Sequence, residues 1–385
     1  MFLDLTEEQR LIRDTARAFA AAELAPMAAR LDREGDRPAF VENLKKLARL
    51  GFMGLDVSAA YGGSEAGSVA FSVAMTEIAR ACASTAVTVS VNNMVCEVIE
   101  AIGSEEQKER YIPCICTGDC TAASFALTEP GAGSDPAAMS TTARRDGDHF
   151  ILDGTKAFIT SAPYAGVFVV WAVTDRDAQR GEGISCFLVE PGTPGLIIGR
   201  EEDKSGQRAS ATCSVTFEAC RIPASALLGE LNRGFKVAVG ELAGGRIGIG
   251  SLALGIGLAA MDFATSYAAQ RSQFGQKITK FEGIRFMIAD AYTELEAARL
   301  LLMQAAYRKE AGRSFAKEAS MAKLYATEAA NRACYKAVQM LGGYGYLGDF
   351  PVERYARDVR VTSIYEGTSE IQRLIISRAI LDGLS

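Results

Sequence analysis

The chain has 385 residues, of which 49% are hydrophobic, 23% charged and 8% aromatic, and its formal net charge is -6. That is enough apolar material for two or three packed domains, and it excludes a disordered or fibrous chain. The mild acidity argues against a general nucleic-acid binder, and a single histidine, His149, removes Ser-His-Asp triads and poly-histidine metal centres.

Residues 1–120 read as helical. The opening MFLDLTEEQRLIRDTARAF has neither the basic region nor the apolar run of a secretory signal, and it is acidic for a transit peptide. The expectation is a cytoplasmic chain, or a mitochondrial-matrix one from which a transit peptide has been removed. Thr6-Glu7-Glu8-Gln9 is a capping box before an amphipathic run with Leu11, Thr15, Ala18 and Phe19 on one face. Helical spacing returns over 69–81. Ser104-Glu105-Glu106-Gln107 is a second capping box, and Pro113 is expected to follow its short helix. The nine cysteines are odd in number and scattered, which predicts free thiols. Cys114, Cys116 and Cys120 have a metal-like spacing but no CxxC pair, and they read as small hydrophobes.

From 121 to 230 short apolar or alternating runs are separated by Gly, Asp and Pro. The runs 122–127, 149–152, 167–173, 185–189 and 212–217 predict strands of a small β domain. His149, at a strand end, reads as structural. From 231 onward long helical segments follow at 234–271, 282–311, 314–341 and 352–382. The apolar stretch 247–261 is shorter than the roughly 20 residues that span a bilayer and reads as a buried helix. The fold class is therefore α+β and multidomain. An N-terminal α-helical domain (1–120) precedes a middle β domain (121–230) and a C-terminal four-helix bundle (231–385).

Four stretches carry chemistry. In 126–135, Gly131 and Gly133 permit tight backbone geometry, so that N–H groups face an anion or a ring edge, and Thr128 and Ser134 add hydroxyls. An ordinary Gly-rich turn is the plainer reading. Residues 343–348 match GxGxxG, but a helix and not a strand precedes them, so a helix-terminating loop fits better than a dinucleotide fingerprint. In 364–372, Ser369 and Gln372 form a capping box and put Glu366 just before a helix N-terminus. Burial raises the pKa of such a carboxylate while the helix end lowers it; if burial wins, Glu366 is a base suited to proton abstraction. A solvated glutamate is the alternative. Arg246, on a helix of small apolar residues, needs an anion nearby, either a protein carboxylate or a ligand group. Arg271 ends the same helix and suits a phosphate.

Together these stretches resemble the acyl-CoA dehydrogenase family over the whole chain. ALTEPGAGSDPAA at 126–138 and QMLGGYGYLGDFPVERYARD at 339–358 resemble its two signatures. KAFIT at 156–160, RSQFG at 271–275 and IYEGTSEIQ at 364–372 fall in the family's order. The resemblance implies an FAD enzyme, usually a homotetramer, that desaturates an acyl-CoA thioester between Cα and Cβ in the manner of fatty-acid β-oxidation. A glutamate takes the α-proton, a hydride leaves Cβ for flavin N5, and the electrons pass to electron-transferring flavoprotein.

By motif Glu366 matches the catalytic base. Its backbone N–H and an FAD ribityl hydroxyl are implied to bind the thioester oxygen. Some members carry the base at the position of Gly245 instead. Phe125, Leu127, Thr128, Gly133 and Ser134 match residues that line the flavin, as do Phe158, Ile159 and Thr160. Many members carry Trp where Phe158 stands. Arg271, Phe274, Gln339, Gly342 and Gly343 match residues that grip FAD across a subunit interface, and Thr368 and Glu370 match the last FAD contacts. Ser134, Arg246, Tyr365 and Gly367 match substrate-side positions. Glu282 stands where Gln is common.

ACASTAVTVSVNN at 81–93, EDKSGQRAS at 202–210 and RIPASALLGE at 221–230 are most similar to short-chain, butyryl-CoA type members. Ala86 stands where glutaryl-CoA members carry an arginine, which argues against a dianionic substrate. The acyl pocket floor is expected near Cys96, Glu97 and Glu100. A branched or cyclic acyl-CoA is the alternative substrate, and a non-catalytic flavoprotein scaffold or assembly factor the alternative of another class. An acyl-CoA oxidase is the less expected alternative, since 385 residues leave no room for the extra C-terminal domain that many oxidases carry.

Overall fold

A computed structural model describes residues 4–382, so the first three residues of the N-terminal segment lie outside it. Six helices come first: α1 (Glu7–Phe19), α2 (Ala25–Glu34), α3 (Arg37–Arg49), α4 (Gly67–Ala81), α5 (Ala83–Ile102) and α6 (Glu105–Thr117). Two of the three predicted capping boxes form, at Thr6 with Gln9 and at Ser104 with Gln107. The buried side of α1 differs from the expected one. Leu11 is 67% exposed and Ala18 also faces out, while Ala16 and Ala20 are buried and Ile12 and Phe19 pack on the core. Leu11 and Ala18 lie at helical spacing but on the flank of the stripe that α4 covers. Pro113 also departs from expectation, because it sits inside α6. The carbonyl that its missing N–H leaves free belongs to exposed Glu109, on the solvent side of the helix.

The middle of the chain forms one eight-stranded sheet. Its strands are β1 (Ala122–Ala126), β2 (Thr142–Asp146), β3 (His149–Thr160), β4 (Ala165–Val173), β5 (Ile184–Val189), β6 (Leu196–Glu201), β7 (Thr212–Pro223) and β8 (Leu227–Leu228). The order is β6-β7-β3-β2-β4-β5-β8, and β1 pairs in parallel with β4. β4 is buried on both faces. Val167, Val169 and Trp171 join one apolar cluster with α5 and α6, while Phe168, Val170 and Ala172 join another with β3, β5 and β7. This two-sided burial explains its unbroken apolar run.

α7 (Gly234–Gln270), α8 (Glu282–Glu310) and α9 (Ala316–Leu341) are the long helices of the third region. A two-strand hairpin, β9 (Ser272–Gln273) and β10 (Gln276–Lys277), joins α7 to α8. A Cβ at Gly234 would lie 2.7 Å from the backbone of Ser185 and Cys186, so only glycine lets α7 start against β5. The Trp171 indole N–H donates to the Gly234 carbonyl at 2.9 Å and pins that start. The expected single helix over 352–382 is instead α10 (Pro351–Arg360), a loop, and α11 (Ser369–Leu381). Glu366 and Gly367 in that loop have φ of 54° and 87°, which no helix accommodates. One core of buried residues runs through α1–α5 and α7–α10, so the first and third helical regions share their interior.

α5 and α7 are long and apolar enough to cross a membrane by length and composition, α7 with 37 residues exceeding the expected apolar stretch; 78% and 83% of their apolar windows are buried within the protein. The expectation of free cysteines fails at one pair, since Cys114 and Cys120 form a disulfide. The αL turn at Gly118 folds the chain back after α6 and brings the two Cα atoms to 5.0 Å. The other seven cysteines are free and buried. Among the described residues no cluster of three or more His, Cys, Asp or Glu is placed to hold a metal.

Candidate active site

Glu366 lies in the loop between α10 and α11. Thr368 is the N-cap of α11 and accepts from the Ile371 N–H at 3.3 Å. The cap is thus one residue before the expected Ser369, whose hydroxyl donates to Glu328. Gln372 does not close a capping box. Its side-chain amide donates to the carbonyls of Glu366 and Gly367, at 3.0 and 2.9 Å. The loop keeps a left-handed, non-glycine residue, and these bonds hold it there.

The Glu366 side chain projects toward α7 and α5. A Cβ at Gly245 would lie 3.1 Å from Glu366 Oε2 and 3.1 Å from Met94 Sδ, so glycine here clears the space beside the carboxylate. Oε2 is buried and, among the described residues, has no hydrogen-bond partner. Burial raises the Glu366 pKa against the opposing charges of Arg246 and Lys323. Arg246 is 5% exposed, touches Ser320 Oγ at 3.4 Å, and leaves its Nε buried and unpaired. Burial lowers its pKa and the Glu366 charge raises it. Tyr365 is tied to 202–210, because Gln207 Nε2 donates to its hydroxyl at 3.0 Å and also to the Asp358 carbonyl.

Of the three residues expected at the pocket floor, each points a different way. Cys96 packs on Cys116, and Glu100 accepts from the Ser58 N–H. Glu97 pairs with Lys309 at 2.6 Å, beside the place where a Gly244 side chain would project. One turn beyond Gly245, a Cβ at Gly248 would lie 2.4 Å from Ser90 Oγ, so α5 and α7 touch there and close the space.

A second group of residues gathers on the sheet. The Ala157 N–H donates to the Thr128 carbonyl at 2.9 Å, and the Ser124 hydroxyl to the Thr160 carbonyl at 2.7 Å. These bonds put Phe125, Leu127 and Thr128 beside Phe158, Ile159 and Thr160. A register shift between Lys156 and Ile159 gives Phe158 a φ of 58° and turns its ring outward, 69% exposed. Phe125 packs on Trp171 with centroids 4.3 Å apart. Cβ atoms at Gly131 or Gly133 would meet nothing within 4 Å, so that side of the loop is open, and Ser134 is exposed next to it. Beneath it, Lys156 is fully buried and donates to Glu129 at 2.8 Å and to the Leu127 carbonyl at 3.1 Å. Glu129 also accepts from the Thr141 N–H and from the N–H and hydroxyl of Ser140. The sequence reading missed this pair; a lysine inside an apolar strand was the available signal.

A third group lies at the far end of α7 and α9. The Arg271 guanidinium sits 5.7 Å from the centroid of Tyr344. Gln339, Gly342 and Gly343 are exposed at the end of α9, and Phe274 is 93% exposed at the hairpin. Among the described residues no hydrogen bond, ion pair or ring contact joins this group to the sheet residues, and Glu370 is exposed in the first turn of α11.

Three family models match the chain in order: the acyl-CoA dehydrogenase N-terminal domain over residues 6–119, the middle domain over 124–220 and the C-terminal domain over 232–381. The mitochondrial short-chain specific acyl-CoA dehydrogenase of Mus musculus is 49% identical over 380 residues, 98% of this chain and 91% of that protein. The butyryl-CoA dehydrogenase of Megasphaera elsdenii is 38% identical, with a TM-score of 0.95 over 99% of this chain and 100% of that one. A chain from work on the electron transferring flavoprotein of Acidaminococcus fermentans and flavin-based electron bifurcation is 40% identical, with a TM-score of 0.96 over 99% of this chain and 100% of that one.

Proposed function

The chain belongs to the acyl-CoA dehydrogenase family, and from that premise we propose that it desaturates a short, straight acyl-CoA such as butyryl-CoA, with Glu366 as the base. The observation that carries the site reading is the buried, unpartnered Glu366 Oε2 in the space that Gly245 leaves clear.

The residues on the sheet fit FAD. The outward Phe158 ring and Ile159 offer a wall for a flat ring system, and the open loop at Gly131 and Gly133, with the hydroxyls of Thr128 and Ser134, suits its polar edges. Phe125, Leu127, Thr128, Gly133, Ser134, Phe158, Ile159 and Thr160 hold it from this chain. Bound FAD supplies the acceptor for the hydride that leaves Cβ.

The chain's own residues do the proton chemistry. Burial raises the Glu366 pKa, against the charges of Arg246 and Lys323, and so makes its carboxylate a stronger base for a weak carbon acid. The thioester carbonyl lies toward the Glu366 backbone N–H, which donates to no protein acceptor among the described residues. That donor stabilises negative charge on the oxygen as the α-proton leaves. Arg246, Tyr365 and Gly367 position the thioester. The contact of α7 on α5 at Gly248 and Ser90 lies one turn beyond the base and limits the chain to a few carbons.

Arg271, Phe274, Gln339, Gly342 and Gly343, with Thr368 and Glu370, serve an FAD held between copies. The nearly fully exposed Phe274 and the distance in bonding between this group and the sheet support a homotetramer in which neighbours complete the site. Electron-transferring flavoprotein takes the electrons, a partner to which the Acidaminococcus match lends support.

The test is anaerobic addition of butyryl-, isobutyryl-, 2-methylbutyryl-, octanoyl- and glutaryl-CoA to the yellow protein, watching the visible flavin band. Fast bleaching by butyryl-CoA is expected. Bleaching mainly by a branched or long thioester moves the substrate, and a bound flavin that none of them bleaches contradicts the enzyme reading.

A further inference from the structure

Lys323, in the N-terminal third of α9, is fully buried. Taking an ammonium out of water is expensive unless a partner compensates it. Lys156 has such a partner in Glu129, but Lys323 has no carboxylate within 4.0 Å among the described residues. Its Nζ donates instead to the Gly367 carbonyl at 2.7 Å. The same oxygen accepts from Gln372, which also holds the Glu366 carbonyl. The bond therefore lands on the Gly367–Thr368 peptide, one residue past Glu366, in the loop where Glu366 and Gly367 have positive φ. α9 runs close to α7 here, since a Cβ at Gly250 would lie 3.5 Å from Lys323 Cα, and Arg246 lies four residues, about one turn, before Gly250.

We propose that Lys323 is a positioning residue for proton abstraction: it fastens the backbone that aims Glu366 and sets a second positive charge, besides that of Arg246, against the Glu366 carboxylate. This rests on Glu366 as the base. The charged groups facing the pair are Arg246 from α7, Glu328 from α9 itself and Glu370 from α11. Tyr365 adds a phenol from the loop, and the Glu97–Lys309 pair closes the α5 and α8 side next to Gly244. Burial pushes Lys323 down to about 8; the Glu366 charge opposes that and Arg246 adds to it. Lys323 is thus mostly charged at neutral pH, and its loss leaves Glu366 harder to ionise.

The experiment compares Lys323→Met, which removes both bond and charge, with Lys323→Gln, which keeps an amide donor for the Gly367 carbonyl and removes only the charge. Each flavin-loaded variant is mixed with butyryl-CoA anaerobically, and the rate of flavin reduction is followed against pH. In both, the acid limb is expected to move up by about one pH unit, the size of shift that losing one nearby opposite charge produces. Infrared titration of the Glu366 carboxyl, identified by its absence in Glu366→Gln, is expected to rise in parallel. Lys323→Gln is expected to keep its flavin and its melting temperature, so the comparison survives if Lys323→Met does not fold. An unshifted acid limb and carboxyl band in Lys323→Gln overturn the inference. If Glu366→Gln is itself reduced at the normal rate, the base assignment fails instead.

Discussion

Glu129 is buried and Glu366 has its Oε2 buried, and each has a buried lysine close by, yet their oxygens are treated differently. Glu129 accepts from Lys156, from the Thr141 N–H and twice from Ser140. Burial raises its pKa, but the Lys156 charge and those hydrogen bonds outweigh it and hold the group at about 2. Glu366 Oε2 accepts from nothing, its lysine is spent on a carbonyl, and burial keeps its pKa high. A carboxylate saturated with donors is a structural tie, because it never takes a proton near neutral pH. One left short of donors is an available proton acceptor, and the fold bears the cost of keeping it so.

The contrast is broken most severely at the sheet. Lys156→Met leaves the Glu129 charge buried and unpaired, and a stability loss of about 3–5 kcal/mol is expected in denaturant unfolding, with lower flavin occupancy as the 127–134 loop comes loose. The sign with pH follows from the depressed pKa. The stabilisation from Glu129 is complete above its unfolded value and is lost as pH falls from about 4.5 toward about 2, so Glu129→Gln flattens acid unfolding in that window. Gly245→Ala sharpens the other side. Its methyl meets Oε2 and Met94 Sδ at 3.1 Å, and a roughly tenfold slower flavin reduction is expected with unfolding unchanged. Glu366→Gln, whose effect on flavin reduction is large, changes stability only slightly. A carboxylate whose folded pKa is raised costs stability once it ionises, so the variant is expected to melt about 2 °C higher at pH 8, a gain that vanishes as the pH falls below the unfolded value.

Local signals were legible in the sequence and long-range ones were not. The capping boxes at Thr6 and Ser104 and the α–β–α order are written in short stretches and appear where expected. The space at Gly245 also follows from one residue in one motif. The cap at Thr368 and the inward side of α1 depend on what packs across from them, which spacing alone does not encode. The Cys114–Cys120 bond depends on the turn at Gly118. Lys323 went unnoticed although it stands among small apolar residues, the same signal that singled out Arg246. Its role depends on Gly367, 44 positions away.

The buried, unpartnered Oε2 of Glu366 is the centre of the proposed chemistry, and anaerobic mixing of the flavin-loaded Glu366→Gln protein with butyryl-CoA tests that most directly. The amide preserves the cavity and cannot take the proton. Full flavin content with reduction slowed by about a thousandfold or more relative to the unaltered protein is the predicted result. Reduction within a few-fold of the unaltered rate would contradict the account.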